Sequence, residues 1–276
     1  MPVMNEFLHV MTLPFLACLI LTGIHAYLGL HVIERQVIFV DLALAQIAAL
    51  GASMALIFGH GMDSPHSYWL SLGFTIAGAA IFSLTRFKKQ RIPQEAIIGI
   101  TYAVSAALLI MVLSRSGEGD EHIRQALVGN ILLIRPAEIL KIFVIYSVIG
   151  LFHYIFRGNF FLISRDPEEA FQRKLNVRLW DFLFYTSFGF VVTSSVKIAG
   201  VLLVFSFLVV PAAAAVLFSE NPKRRLILGW TIGVFASILG MAVSYFLDFP
   251  TGASVVCVFG VILILLATIK KSFNLH

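Results

Sequence analysis

The chain has 276 residues, 59% of them hydrophobic and 13% charged, with a mean hydropathy of +0.92. A soluble domain carries about 25% charge, so this composition excludes an ordinary water-soluble enzyme. It describes an all-α bundle embedded in a bilayer, where each span satisfies its own backbone polar groups. The net charge of +5 sits in short loops between apolar runs, a topology signal rather than a nucleic-acid surface.

Met1–Phe15 has neither a basic n-region nor a small-residue cleavage site, so no cleavable signal peptide is expected. Apolar segments of about 20 residues are the unit of a helical span. They fall at 8–32, 38–59, 68–86, 96–113, 138–156, 181–197, 199–217, 226–247 and 253–269. Only the polar patch Thr193-Ser194-Ser195-Val196-Lys197 divides the sixth from the seventh, so eight or nine spans are expected, in a single transmembrane domain over 1–276. The segment 125–137, with Gly129-Asn130 inside it and Arg135-Pro136 at its end, is too short to cross and reads as a re-entrant or interfacial turn. Cys18 and Cys257 both lie in apolar runs, and no structural disulfide is expected.

Lysine and arginine placement sets the orientation. The basic loop Arg86-Phe-Lys88-Lys89-Gln-Arg91 faces the cytoplasm, and so by counting do Arg157–Arg178, Lys223-Arg224-Arg225 and Lys270-Lys271. The opposite loops carry His60, Asp63 and His66, then Glu118, Asp120, Glu121 and His122. One topology satisfies every loop, with the N-terminus out and the C-terminus in. Imidazole and carboxylate together suit borderline transition ions, so these outer loops read either as a metal-attracting vestibule or as solvated acidic loops. Ionisable groups within spans are functional suspects. His25 is one, and a histidine bonded to a neighbouring helix is the other reading of it.

In residues 196–225, VKIAGVLLVFSFLVVPAAAAVLFSENPKRR, an apolar run is expected to break at Pro211, followed by Ala212–Ala215 and a short polar stretch containing Glu220. Further on the chain reads Tyr-Phe-Leu-Asp248-Phe-Pro250-Thr251-Gly252, a tight turn into the last span. This pairing, with Gly129-Asn130 between spans, resembles the permease subunit of the metal-ion family of ABC importers, which move zinc, manganese or iron inward. The resemblance runs in order along nearly the whole chain. It implies an inner-membrane homodimer working by alternating access, with no permanently bound cofactor. It also implies a separate ATP-binding subunit inside and an extracytoplasmic metal-binding protein outside. Consistent with a separate ATPase, the chain contains no G-x-x-x-x-G-K-[ST] loop.

By the same resemblance, Pro211, Ala212, Ala213, Ala214, Ala215 and Glu220 belong to a cytoplasmic coupling helix seated in the ATPase, and the second span lines the ion path. The family places Gly-Asp-x-x-x-His at that span, with a glycine five residues after the histidine. Here Val40-Asp41-Leu-Ala-Leu-Ala45-Gln46 leads to Gly51. Aligned on Gly51, Gln46 stands at the histidine position; aligned on Asp41, Ala45 does. Asp41 and Gln46 are about 140° apart around an ideal helix, so the family's ligand pair is not intact. Asp41 reads as a path residue or as an interfacial acid. A chelated metal is an alternative cargo, and a stand-alone secondary transporter is an alternative class, though the paired broken helices it needs are not evident. A membrane metalloprotease would need an H-E-x-x-H cluster, which the scattered histidines do not supply.

Overall fold

The computed structural model describes residues 2–61, 64–86, 92–114 and 129–272, and among these it is helical apart from short connections. In chain order come α1 (Pro2–Glu34), α2 (Val40–Ile57), α3 (Pro65–Leu84) and α4 (Gln94–Leu113), then a 3-10 turn (Ile131–Leu133). α5 (Pro136–Ile155), the short α6 (Arg157–Arg165) and α7 (Pro167–Gln172), α8 (Val177–Phe218), α9 (Pro222–Leu247) and α10 (Thr251–Ser272) follow. Eight of these are long and apolar enough to cross a membrane, as the hydropathy pattern requires.

Several helix starts are written in the sequence. Ser64, Asp166 and Asn221 each precede a proline and accept a hydrogen bond from an amide of the first turn, from Ser67 at 3.2 Å, Glu169 at 2.8 Å and Lys223 at 2.9 Å. Such a side chain satisfies an amide with no intrahelical partner, and proline loses nothing at the first helical position. α2 has no such cap of its own. Instead the Phe39 amide donates to Glu95 Oε1 at 3.0 Å, a carboxylate from the first turn of α4.

The sixth and seventh expected spans are one 42-residue helical run with a single break, at Gly200 (φ 75°, ψ 160°). That conformation is open to glycine and closed to side-chain-bearing residues. Gly129 packs on the break: a Cβ there would lie 2.2 Å from the Gly200 nitrogen, and the Asn130 amide donates to the Ile198 carbonyl at 3.2 Å. The described part of the expected re-entrant segment is therefore a short 3-10 turn anchored at Gly200.

The break expected at Pro211 does not occur, and Pro211–Ala215 is not a separate helix. α8 runs through Pro211 to Phe218, and Pro211, Ala212, Ala214 and Ala215 are buried. A proline inside a helix disrupts bonds to carbonyls one turn back, and those carbonyls need cover from neighbours in a membrane. α1 is the neighbour here. A Cβ on Gly29 would sit 1.9 Å from the Leu208 carbonyl oxygen and 3.0 Å from the Ala212 Cβ, so the α1 backbone lies directly against this turn. The alanines are small because helices meet here. Gly29→Val is expected to destabilise the protein by about 3 kcal/mol through overpacking, read as a lower thermal midpoint in detergent.

The chain divides into two compact units. One comprises residues 1–33, 127–148 and 197–276, the other 34–126 and 149–196. In the first, α9 packs on α10; in the second, α2 packs on both α3 and α4. Gly51 marks the α2–α3 contact, since a Cβ there would come within 2.7 Å of the Leu70 carbonyl oxygen.

Candidate functional site

In the second unit, Asp41 stands in the first turn of α2 and is 2% exposed. Its Oδ1 has no hydrogen-bond partner among the described residues, and neither has Oε2 of Glu95, whose other oxygen caps α2. Two carboxylates, each with an unsatisfied buried oxygen, thus lie at the leading ends of α2 and α4. Buried acceptors are normally paired, and an anionic oxygen without a donor is an acceptor for a cation. Ala45, one turn beyond Asp41 and on its face, is buried at 3% exposure, while Gln46 is half-buried on another face. The helix therefore presents oxygen at this level and no imidazole. Among the described residues, no group of three or more His, Cys, Asp or Glu side chains is placed to hold a metal together.

His25 lies in the other unit, buried in α1. Its Nδ1 is 2.9 Å from the Leu21 carbonyl oxygen and its ring meets Tyr146 edge-on at 6.1 Å. Its Nδ1 hydrogen bond is thus to its own helix, and α5 contributes a ring contact. Of the outer-loop residues, His60 and His66 come together, their rings parallel within 3° and 4.0 Å apart. Asp63, Asp120 and His122 lie outside the described residues. The turn before α10 is built by Asp248 at φ 54°, by Ser244 Oγ donating to the Phe249 carbonyl at 2.8 Å, and by the Ser244–Thr251 hydroxyl pair at 2.9 Å. Residues 129–132 and 248–252 line one pocket of about 300 Å³ in the first unit. The two motif stretches that carried the resemblance at this end are therefore neighbours.

Glu220 is exposed in the turn 219–221, beyond the buried alanines. A different pair of elements has one buried and one exposed side. α6 and α7 lie outside the eight candidate spans. Their undersides, Ile163 and Ala170, are buried with Val177 against Trp180, Phe171 and Leu162. Their outer side carries exposed Arg165, Glu168, Gln172 and Arg173. Apolar burial below and charge above make a short helical pair held rigidly by its unit.

Beneath it lies a polar cluster that sequence reading did not single out. Asp181 is fully buried; its Oδ1 is 2.5 Å from Arg35 Nη1, and its Oδ2 is 3.2 Å from Arg86 Nε. Arg35 also donates from Nε to Ser164 Oγ at 2.9 Å and lies 4.0 Å over the Phe184 ring. The available signal was a carboxylate at the head of an apolar run. Glu95 carried the same signal at the head of α4.

Comparison with known proteins agrees with this architecture. The manganese transport system membrane protein MntC of Listeria innocua is 29% identical over 199 residues, covering 70% of each chain. The chelated iron transport system membrane protein YfeD of Yersinia pestis is 24% identical over 198 residues, 70% of this chain and 66% of its own. Among solved structures, PsaBC from Streptococcus pneumoniae in complex with Fab superposes with a TM-score of 0.78 over 95% of both chains at 21% identity, a likeness of fold. The family model described as ABC 3 transport family matches residues 8–270, nearly all of the sequence, and the chain belongs to that family.

Proposed function

We propose that this chain is the membrane-spanning permease of an ATP-binding-cassette importer for a divalent transition-metal ion, zinc, manganese or iron, working by alternating access as a homodimer. The observation that carries the reading is Asp41, a buried carboxylate with an unsatisfied oxygen in α2, within a chain whose family match is nearly complete. Asp41 and Glu95 offer carboxylate oxygens. Oxygen ligands suit manganese, whereas zinc gains most from imidazole or thiolate. His60 and His66 would attract the ion at the outer mouth.

ATP hydrolysis belongs to a separate subunit, because the chain has no phosphate-binding loop of the Walker type. Basic residues in the connections around α6–α7 and after α3 support a cytoplasmic position for both. The α6–α7 platform, not the buried alanines, is then the surface for the ATPase. ATP shifts the inward/outward equilibrium only through contacts that differ between the two states, and the platform is where such contacts act. An extracytoplasmic metal-binding protein delivers the ion to the opposite face.

The test is ATP-driven uptake by the chain reconstituted with its ATPase in vesicles, across manganese, iron and zinc. Uptake of manganese in preference to zinc is expected. No uptake of any of the three as free ions, with uptake of a chelated form, would replace the cargo assignment. The purified chain alone should show no ATP hydrolysis above background, and substantial turnover by a rigorously single-subunit sample would overturn the division of labour.

A further inference from the structure

The α6–α7 platform is joined to the second unit by more than apolar contact. Asp181 in the first turns of α8 binds two guanidinium groups from separate parts of the chain: Arg35, in the link that enters α2, and Arg86, just past the end of α3. Arg35 reaches α6 as well, through Ser164, whose hydroxyl donates in turn to the Phe160 carbonyl at 2.8 Å. Glu34, beside Arg35, pairs with Arg165 at the far end of α6 at 3.6 Å. Two guanidinium groups thus meet one carboxylate of α8, and Arg35 extends the cluster to α6. The side chains of Arg35 and Asp181 are fully buried and that of Arg86 is 8% exposed.

Stability does not account for this arrangement. Two buried cations share one anion, leaving a positive excess, and apolar residues of similar volume commonly match or exceed such a group in stability. What charged groups add is directionality. An apolar contact permits sliding, whereas the Arg35–Asp181 hydrogen bond fixes distance and angle together, with Arg86 adding a charge contact at 3.2 Å that lacks hydrogen-bond geometry. The stacking of Arg35 on Phe184 at 4.0 Å further restricts its plane.

We propose that Asp181, Arg35, Arg86 and Ser164 form a positioning strut that ties the α6–α7 platform and the head of α8 to the entry of α2 and the exit of α3. Displacement of the platform is thereby delivered to the helix that carries Asp41. The proposal rests on the reading of α6–α7 as the ATPase-docking surface, and it names the residues through which docking is felt at the ion path.

The informative variant is the double substitution Asp181→Asn with Arg35→Gln. It keeps the native charge balance, because the fully buried cation leaves with the one anion and the cation left, Arg86, is the more exposed of the two, while cutting the ties of α8 to the entry of α2 and to α6. In the reconstituted complex it should assemble and hydrolyse ATP within about threefold of the native rate, while ions moved per ATP fall about tenfold. Ser164→Ala, which removes only the α6 arm, should lower the same ratio by about threefold. A merely structural role would lower hydrolysis and transport together, in proportion to folded complex. A native transport-to-hydrolysis ratio in the double variant overturns the proposal. A second measurement needs no partner: in the permease alone, amides of 157–165 should exchange hydrogen about tenfold faster in the double variant, and unchanged protection there overturns the strut. Should the native complex show no ATP-driven uptake, the transport reading fails, and the exchange experiment still decides whether the strut holds α6.

Discussion

Asp41→Asn should lower ATP-driven ion uptake about a hundredfold, the upper range for loss of a group that tunes a metal site, with yield and thermal stability at or above native. The substitution is nearly isosteric, so packing around a side chain that is 2% exposed is preserved. The charge is what disappears. If Asp41 were only an interfacial acid, removing a buried charge with an unsatisfied oxygen would relieve a desolvation cost and leave transport intact. The two roles therefore differ in the sign of neither folding nor insertion, only in uptake. Native uptake by Asp41→Asn, at equal reconstituted protein, would remove α2 from the ion path. Glu95→Gln makes the companion test. It retains an oxygen for the Phe39 amide, so it should fold, and it should weaken uptake less than Asp41→Asn because Glu95 is the more exposed of the two.

The spans were readable because a bilayer forces about 20 consecutive apolar residues into each crossing helix, and each expected segment overlaps an observed helix, with 38–59, 68–86 and 138–156 running one or two residues past its ends. The interruption expected at Pro211 is absent for a physical reason. Pro211 is the obvious breaker in the sequence, yet the helix continues through it with α1 packed against the same turn at Gly29, 179 residues away from Leu208 in the chain, and nothing local announces that contact. The division expected between the sixth and seventh spans, at the polar patch Thr193–Lys197, lies just before the observed break at Gly200, where φ is 75°. The same locality limits the site. Asp41 was legible as an acid inside an apolar run. Glu95 and Asp181 sit at span ends beside basic loops, where an acid looks like ordinary topology, and their meaning comes from partners 56 and 146 residues away. The register ambiguity at Gln46 also has a packing origin. Gly51 is fixed by the approach of α3, so as an alignment anchor it reports helix contact rather than ligand position.

Ala214→Glu is expected to abolish folded protein, cutting the monodisperse fraction in detergent by about tenfold, in keeping with several kcal/mol for an unpaired buried charge. Ala214 is 0% exposed, as are Ala212 and Ala215 on the same helix, and α1 lies against this turn at Gly29. The added carboxylate would have neither volume nor counter-charge there. Glu168→Arg, on the exposed outer side of α7, is the contrasting variant. It should leave folding unchanged, because surface substitutions away from buried partners shift stability by about 0.5 kcal/mol or less, and it should weaken assembly with the ATPase by reversing a rim charge. Size-exclusion profiles of the permease alone, followed by pull-down of the ATPase, separate the two effects. A well-folded Ala214→Glu that fails only in ATPase binding, beside a Glu168→Arg that binds normally, would return the docking surface to Pro211–Glu220. The opposite pattern is what the burial of Ala212, Ala214 and Ala215 and the exposure of α7 lead us to expect, since an alanine already packed inside its own unit has no surface to offer a partner.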